Sequence, residues 1–430
     1  MNVFNVFRRY LFYRRSQYWP RETLELYQDE QLRRLVRHAG KHVPYYRSLF
    51  ERIGLAPTDF RGRLDLQKIP TLDKQTVRTR KDELIAENSA SFGVNAVSTS
   101  GTTGTPLQLV LSDAAQVDFL ASLLRCFHWS GYRFFMRTLS LQSYYFEDRD
   151  LMYNPFLNVL RFDSCRLGPA SAINAIATIN RMKPNFFMGF PFDLVMLTRF
   201  AAEAGKKITP PKSVLCYGET LSAEKRRILE SELKCKVFDF YSHHESVAMV
   251  AECPYGNKHI VDDFGYHEIL DEHGTDCTEK GEGELIGTGF SNYAMPLIRY
   301  RTGDRVFLAS TKAACPCGRQ LRTVRAIAGK QTDYLETPDG RVLSTVMSHS
   351  IDEAKGVVMS QCIQDSLDHL VVNIITDDTY TRDSEIALVE GLRKRLGHEI
   401  ALDIERVDQL EKSRGGKTQF IISKIGKLSP

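Results

Sequence analysis

The chain has 430 residues, with 57 Lys and Arg against 53 Asp and Glu for a net charge of +4; 26% of it is charged and 43% hydrophobic. That balance excludes a disordered or fibrous chain and lacks the basic bias that nucleic-acid binding requires, while the length asks for two or three domains. Mean hydropathy is -0.28, and no apolar run approaches the roughly 20 residues that span a bilayer.

In chain order, the first fifteen residues, MNVFNVFRRYLFYRR, are basic and aromatic without the apolar stretch of a secretory signal. They predict a helix packing Phe4, Phe7 and Leu11 on the body, with a membrane-surface helix as the alternative. Residues 22–50 carry helical periodicity through Leu24, Tyr27, Leu32, Leu35 and Val36, ending at His42-Val43-Pro44. Beyond residue 94, short apolar runs at 137–141, 185–189, 213–217 and 236–240 alternate with helical patterns such as 112–127 and 222–234. This alternation predicts an α/β body with largely parallel strands. Residues 260–345, with short runs and Gly and Asp turns, predict an antiparallel β region. A final α+β module reads strand, helix, strand, helix, strand at 341–345, 347–354, 369–375, 383–396 and 400–405. The boundary falls near 329–334, giving a multi-sheet body of 1–329 and a small C-terminal domain of 330–430. Nine cysteines, an odd number diluted over a long chain, predict reduced thiols and a cytoplasmic setting.

Several stretches carry chemistry. Ser98-Thr99-Ser100-Gly101-Thr102-Thr103-Gly104-Thr105-Pro106 offers backbone amides and hydroxyls to phosphate oxygens, although Thr105-Pro106 departs from the P-loop pattern and a plain flexible turn is the alternative. Tyr241-Ser242-His243-His244-Glu245 puts an acid just past a strand end, where sites in α/β sheets form. His244 beside it is a candidate for carboxylate contact or for an ordinary strand-end histidine. Tyr300-Arg301-Thr302-Gly303-Asp304 puts an acid after a tight glycine turn, as a ribose diol needs, and Ser413-Arg414-Gly415-Gly416-Lys417-Thr418 presents a lysine on a glycine loop. Cys253, His259, Cys315 and Cys317 make a Cys₃His set that completes a closed zinc tetrahedron, buried or reactive thiols being the alternative. The aromatics of 143–146 and Phe186-Phe187 read as core packing before they read as an aryl pocket.

The order of these elements, with Gly329-Lys330-Gln331-Thr332-Asp333 before the late lysine, resembles the adenylate-forming superfamily of acyl-CoA synthetases and adenylation domains. Val43-Pro44-Tyr45-Tyr46-Arg47, Ile69-Pro70-Thr71-Leu72-Asp73-Lys74 and Met295-Pro296-Leu297-Ile298-Arg299 bring the likeness closer to its phenylacetate-CoA ligase branch, which includes capsular-polysaccharide members. The resemblance implies a large body, a small C-terminal domain that rotates, and two half-reactions. A carboxylic acid, aryl or aryl-alkyl, is activated with ATP to an acyl-adenylate and then passed to coenzyme A.

Position by position, the resemblance implies that Thr99, Ser100, Gly101, Thr102, Thr103 and Gly104 hold phosphates, and that Tyr217, Gly218, Glu219 and Tyr241 border adenine. Asp304 takes the ribose, Arg319 joins the nucleotide contacts, and Glu245 binds Mg²⁺. Asp333 is the hinge, Lys417 the catalytic lysine, with Glu245 and His244 beside the reacting groups. Leu107, Ser242, His244 and Lys330 depart from the usual pattern. Cofactors are therefore ATP, Mg²⁺, coenzyme A as acceptor and structural Zn²⁺. The expected partners are a small acid and an acyl acceptor, with a homodimer as a candidate assembly and no nucleic acid. The rival readings are an adenylating enzyme serving an amine, hydroxyl or carrier thiol, and a non-catalytic scaffold of polysaccharide assembly.

Overall fold

The computed structural model describes residues 2–99, 107–144, 146, 148–277, 281–308, 314–328, 335–343, 351, 354–411 and 420–425. They form two compact units, one built from residues 1–99, 107–131 and 238–329, the other from 132–237 and 330–430. The expected boundary at 329–334 lies outside the described residues.

The first unit begins with two helices, Val3–Ser16 and Arg21–His42. Asn2 caps the first by accepting from the Phe4 backbone N–H at 2.9 Å. The face it buries is not the expected one: Phe4, Phe7 and Leu11 are exposed, and Val6, Tyr10 and Tyr13 are buried. The tyrosines win this place because the interior beneath them is polar. Arg9 donates to the Tyr13 hydroxyl at 3.2 Å, and the buried Arg125 donates to the Tyr13 carbonyl at 3.0 Å. A phenylalanine would remove the hydroxyl, which shares Arg9 with Asp118. Arg21–His42 buries Leu24, Leu32, Leu35 and Val36, as its periodicity predicts, while Tyr27 is half-buried and Gln28 and Ala39 join the buried face. At Pro44 a new helix starts, Pro44–Arg52, because proline costs nothing in a first turn whose N–H groups lack helical partners.

The sheet of this unit runs, in order, Gly265–Leu270, Glu282–Gly289, Tyr300–Leu308, Thr323–Ala328, Lys258–Ile260, Met249–Glu252 and Lys236–Ser242, with every described pairing antiparallel. The expected antiparallel β region is therefore present. Its core gathers Leu32, Leu35, Tyr46, Leu72, Ile269, Leu285, Ile298 and Tyr300. A separate hairpin pairs Val94–Thr99 with Leu107–Ser112, Thr99 lying opposite Leu107.

In the second unit Ser213–Tyr217, Phe186–Gly189, Thr138–Gln142 and Val159–Asp163 are neighbours in one parallel sheet, with Leu151–Asn154 antiparallel at its edge. Helices Pro169–Met182, Pro191–Glu203 and Ala223–Leu233 supply the rest of a core that includes Leu139, Phe162, Ile176, Phe187, Val195 and Val214. Phe186 and Phe187 are fully buried, as core packing requires.

The same unit holds a four-stranded sheet ordered Ala401–Arg406, His369–Thr376, Val357–Ser366 and Ile421–Ser423, beside helix Arg382–Leu396. The expected strands near 369–375 and 400–405 and the helix near 383–396 are present. The expected 341–345 strand is the pair Val342–Leu343, and most of 347–354 lies outside the described residues. The pattern missed two strands of this sheet, Ile421–Ser423 and Val357–Ser366, the latter because Gln361 and Gln364 break its apolar signal. Both glutamines are buried. Gln361 exchanges bonds with Glu411, donating to its carbonyl at 2.9 Å and accepting from its N–H at 3.0 Å, and Gln364 accepts from the Glu336 N–H at 3.0 Å. No helix among the described residues is long and apolar enough to cross a membrane.

Candidate active site

Two pairs of segments far apart in the chain are clamped together in the first unit, and the clamps orient its polar cluster. The buried Tyr46 hydroxyl donates to the Pro296 carbonyl at 3.1 Å and accepts from the Ile298 N–H at 2.9 Å. Leu72 bridges to the 300s strand: its N–H donates to the Arg299 carbonyl and its carbonyl accepts from the Arg301 N–H, each at 2.9 Å. Asp73 then caps helix Lys74–Thr79, accepting from the Thr76 N–H at 2.7 Å, so Lys74 opens that helix beside the strand.

Within Tyr300–Leu308, Arg301 pairs with Ile286 and Arg305 with Glu284, so Thr302, Gly303 and Asp304 face Leu285 alone. This bulge needs Gly303, whose φ of +78° other residues rarely adopt, and it turns Asp304 out of the ladder. Asp304 accepts from the Tyr241 hydroxyl at 2.8 Å. Burial first, then the neighbouring Asp304 charge, pushes the Tyr241 phenol well above its ordinary range, so it remains a donor.

His243 contacts the Tyr241 hydroxyl through Nε2, lies 3.7 Å from Asp304 Oδ2, and approaches Glu245 Oε2 to 3.7 Å through Nδ1. Glu245 is buried, accepts from the Tyr300 hydroxyl at 3.1 Å and has Lys74 Nζ at 4.0 Å. Burial alone would raise its pKa, but His243 and Lys74 hold it down at about 2. Glu245 is thus an ionised carboxylate at neutral pH, ringed by donors. His244, named beside it from sequence, is exposed; the contacts belong to His243, one residue earlier. Lys74 and Tyr300 stood in the motif segments without being singled out, since nothing local signals that they converge on Glu245.

In the second unit Tyr217 ends its strand and donates to Gln142 Oε1 at 2.7 Å, and its ring meets Phe190 edge-on at 5.9 Å. Gly218 follows at φ +79°, where a Cβ would stand 2.5 Å from the Phe190 ring. Glu219 lies 3.9 Å from Lys225 Nζ. Burial first, and then the Glu219 charge, pushes the pKa of the buried Asp193 well above its ordinary value.

The four cysteine and histidine ligands converge in the first unit, their ligand atoms all within 4.8 Å of one another. Cys253 Sγ is 3.7 Å from Cys315 Sγ, and Cys317 Sγ is 3.4 Å from His259 Nε2. Metal–sulfur bonds near 2.3 Å and a metal–nitrogen bond near 2.0 Å give tetrahedral edges of about 3.8 Å and about 3.5 Å, so the donor set fits zinc. His259 Nδ1 lies 3.0 Å from the Leu321 carbonyl, which fixes the ring and leaves Nε2 for a metal. Arg319, expected among the nucleotide contacts, stacks on Trp129 at 4.2 Å and donates to Gln17 Oε1 at 3.0 Å. Trp129 in turn meets the His259 ring at 5.9 Å.

Residues 335–424 match the family described as the CapK C-terminal domain. The chain is 28% identical over 335 residues to a phenylacetate-coenzyme A ligase of Thermus thermophilus, covering 74% of this chain and 72% of that protein. It is 24% identical over 279 residues to Protein CapK of Staphylococcus aureus, covering 64% of this chain and 60% of that one. A 2-hydroxyisobutyryl-CoA ligase, solved with 2-HIB-AMP and CoA, superposes with a TM-score of 0.62 at 17% identity, covering 95% of this chain and 92% of that chain. The fold is that of the adenylate-forming enzymes.

The residues that match this family form the four-stranded sheet and helix Arg382–Leu396. Within the second unit this segment is tied to residue 165 by Arg341, which donates to the Cys165 carbonyl at 3.1 Å while also holding the Arg395 and Leu396 carbonyls at 2.7 Å. Lys417 belongs to the same segment, but it, Asp333 and residues 100–104 lie outside the described residues, and Thr99 is described only as the last residue of its strand.

The environment of Glu245 has a measurable pH signature. Its pKa falls from 4.5 to about 2 on folding, so its stabilisation is complete above 4.5 and is lost as pH falls toward 2. The stability advantage of the wild type over Glu245→Gln, followed by urea unfolding, is expected to shrink by about 2 kcal/mol between about pH 6 and about pH 3. An advantage that does not change with pH would show that the carboxylate is not held by cations.

Proposed function

We propose that the protein is an AMP-forming acid–thiol ligase that activates a carboxylic acid, aryl or aryl-alkyl, with ATP and passes the acyl group to coenzyme A. The observation that carries this reading is the Tyr241–His243–Glu245–Asp304 cluster in a chain similar to phenylacetate-CoA ligases. Asp304, oriented by the Tyr241 hydroxyl, would accept the ribose hydroxyls. Tyr217, Gly218 and Glu219 would border the adenine, and Thr99 through Gly104 would hold the β- and γ-phosphates through backbone N–H groups and hydroxyls. Glu245, kept ionised, would bind Mg²⁺, which when present neutralises phosphate charge.

The acid's carboxylate oxygen attacks the α-phosphorus, the bond to the β-phosphate oxygen breaks, and pyrophosphate leaves with its electron pair. Lys417 would stabilise the charge that spreads over the non-bridging oxygens. The coenzyme A thiol then gives its proton to solvent, its sulfur attacks the acyl carbon, and the bond from that carbon to the phosphate oxygen breaks, AMP departing with the electron pair. In this reading residues 1–329 form the body, residues 330–430 the moving domain, and Asp333 the hinge, so that one pocket serves both steps. Cys253, His259, Cys315 and Cys317 would hold a structural zinc, since four protein ligands leave no open position.

ATP–pyrophosphate exchange across aryl, aryl-alkyl, aliphatic and sugar acids tests the reading. Exchange is expected with an aryl or aryl-alkyl acid, followed by AMP release dependent on coenzyme A. Absence of exchange with every acid, in protein shown to bind ATP and Mg²⁺, would overturn it. Exchange followed by transfer only to an amine, hydroxyl or carrier thiol would replace the acceptor and leave the adenylation step standing.

A further inference from the structure

The N-terminal helix Val3–Ser16 is locked on one side and uncovered on the other. Its inner face is fixed by Val6, Tyr10, Tyr13 and Ser16. Arg9 holds Asp118 Oδ2 at 2.9 Å, Ser16 bonds to Asp263, and Arg125 reaches both the Tyr13 carbonyl and Asp263. These bonds set the rotation of the helix, so what it shows to solvent is a property of the fold. The outer face carries Phe4, Phe7 and Leu11 at 71%, 52% and 39% exposure, with Val3 at 80%. Positions i, i+3 and i+7 form one continuous stripe, unlike the scattered apolar residues common on surfaces.

Charge defines what this stripe fits. The helix has four arginines and no acidic residue. Arg9 is the one committed to Asp118; Arg8, Arg14 and Arg15 are exposed, and among the described residues none of these three pairs with a carboxylate. Arg8 and Arg15 also join Leu11, Phe12 and Trp19 around an apolar pocket of about 490 Å³. An apolar stripe edged by unpaired guanidinium groups matches a surface with acyl chains below and negative charge above. A second copy of this helix would set arginine against arginine. A nucleic acid would offer phosphates but no apolar phase for Phe4, Phe7 and Leu11.

We propose that the outer face of Val3–Ser16 docks on an anionic lipid bilayer, with Phe4, Phe7 and Leu11 entering the interface and Arg8, Arg14 and Arg15 meeting lipid phosphates. This rests on the helix alone and is independent of the ligase reading. The full chain is tested by co-sedimentation with vesicles of phosphatidylcholine and with equimolar phosphatidylcholine and phosphatidylglycerol. Binding to the anionic vesicles is expected to be at least about tenfold stronger and to weaken with salt. Arg8→Gln/Arg15→Gln is expected to reduce it by roughly thirty-fold, and Phe4→Ser/Phe7→Ser/Leu11→Ser by at least about tenfold. Because these side chains point to solvent, circular dichroism and melting temperature should match wild type in both variants. Failure of wild type to bind, equal binding to both vesicle types, or survival of binding in either variant would overturn the proposal. So would a lipid-independent dimer, detected by light scattering, that the apolar triple variant dissolves.

Discussion

Lys417→Ala is expected to lower ATP–pyrophosphate exchange by roughly 10²–10³-fold while reducing thioester formation from supplied acyl-adenylate less than about tenfold. The asymmetry follows from where charge develops. In the first step negative charge spreads over the non-bridging oxygens of the α-phosphate and the departing pyrophosphate, and a positioned ammonium stabilises it more in the transition state than in bound ATP. In the second step AMP leaves from an acyl carbon, and coenzyme A supplies its own nucleophile. Gly415 and Gly416 precede Lys417 in the sequence, and a glycine backbone can approach a nucleotide closely. Equal loss in both half-reactions would remove Lys417 from this role. Asp304→Asn is the informative companion. It keeps the shape of the Tyr241 partner but removes the charge offered to a ribose, so its loss should fall mainly on the KM for ATP.

Cys315→Ser/Cys317→Ser is expected to remove one zinc per chain and to destabilise the protein by roughly 3 kcal/mol or more, lowering Tm by about 5–10 °C. The energy is smaller than in a zinc finger because this unit has a large apolar core of its own. It is still substantial, since a metal held by these four residues would join the turn after strand Met249–Glu252 to the segment carrying Cys315 and Cys317. Without metal, the cluster keeps only weak bonds, such as the one from Asn257 Nδ2 to Cys315 Sγ at 3.1 Å and that of His259 Nδ1 with the Leu321 carbonyl at 3.0 Å. Metal analysis and thermal unfolding check both parts, with Cys235→Ser as the control expected to retain zinc. Zinc-free protein with an unchanged Tm would refute the site.

The parallel strands 138–142, 186–189 and 213–217 were legible because each is a short apolar run between turn residues, and burial on both faces demands such runs. The Cys₃His set was legible from residue types alone, although the spacing of Cys315 and Cys317 is tighter than usual. Strand Val357–Ser366 was not, since its glutamines are satisfied by Glu336 and Glu411, neighbours that appear only after folding. The inner face of the N-terminal helix was misread for a related reason. Ranking by hydrophobicity selects Phe4, Phe7 and Leu11, whereas the surface beneath the helix carries buried arginine and aspartate that suit tyrosine and serine. Glu245 lies past the end of strand Lys236–Ser242, where its place in the sequence put it; that His243 is the histidine touching it was not legible, since two adjacent histidines offer the same local signal.

The sequence by itself determined the class of fold, the order of its chemical segments and the membership of the Cys₃His cluster, because these depend on local residue type, spacing and periodicity. Only the tertiary structure decided that His243 is the histidine in contact with Glu245 and Asp304, and that Lys74 and Tyr300 complete that contact. The same holds for Tyr46 and Leu72, which clamp their segments to residues 296–301, and for the apolar stripe left in solvent on the first helix. Each of these depends on strand register, on a bulge at Gly303, or on bonds between segments hundreds of positions apart, and local spacing carries no record of such pairings.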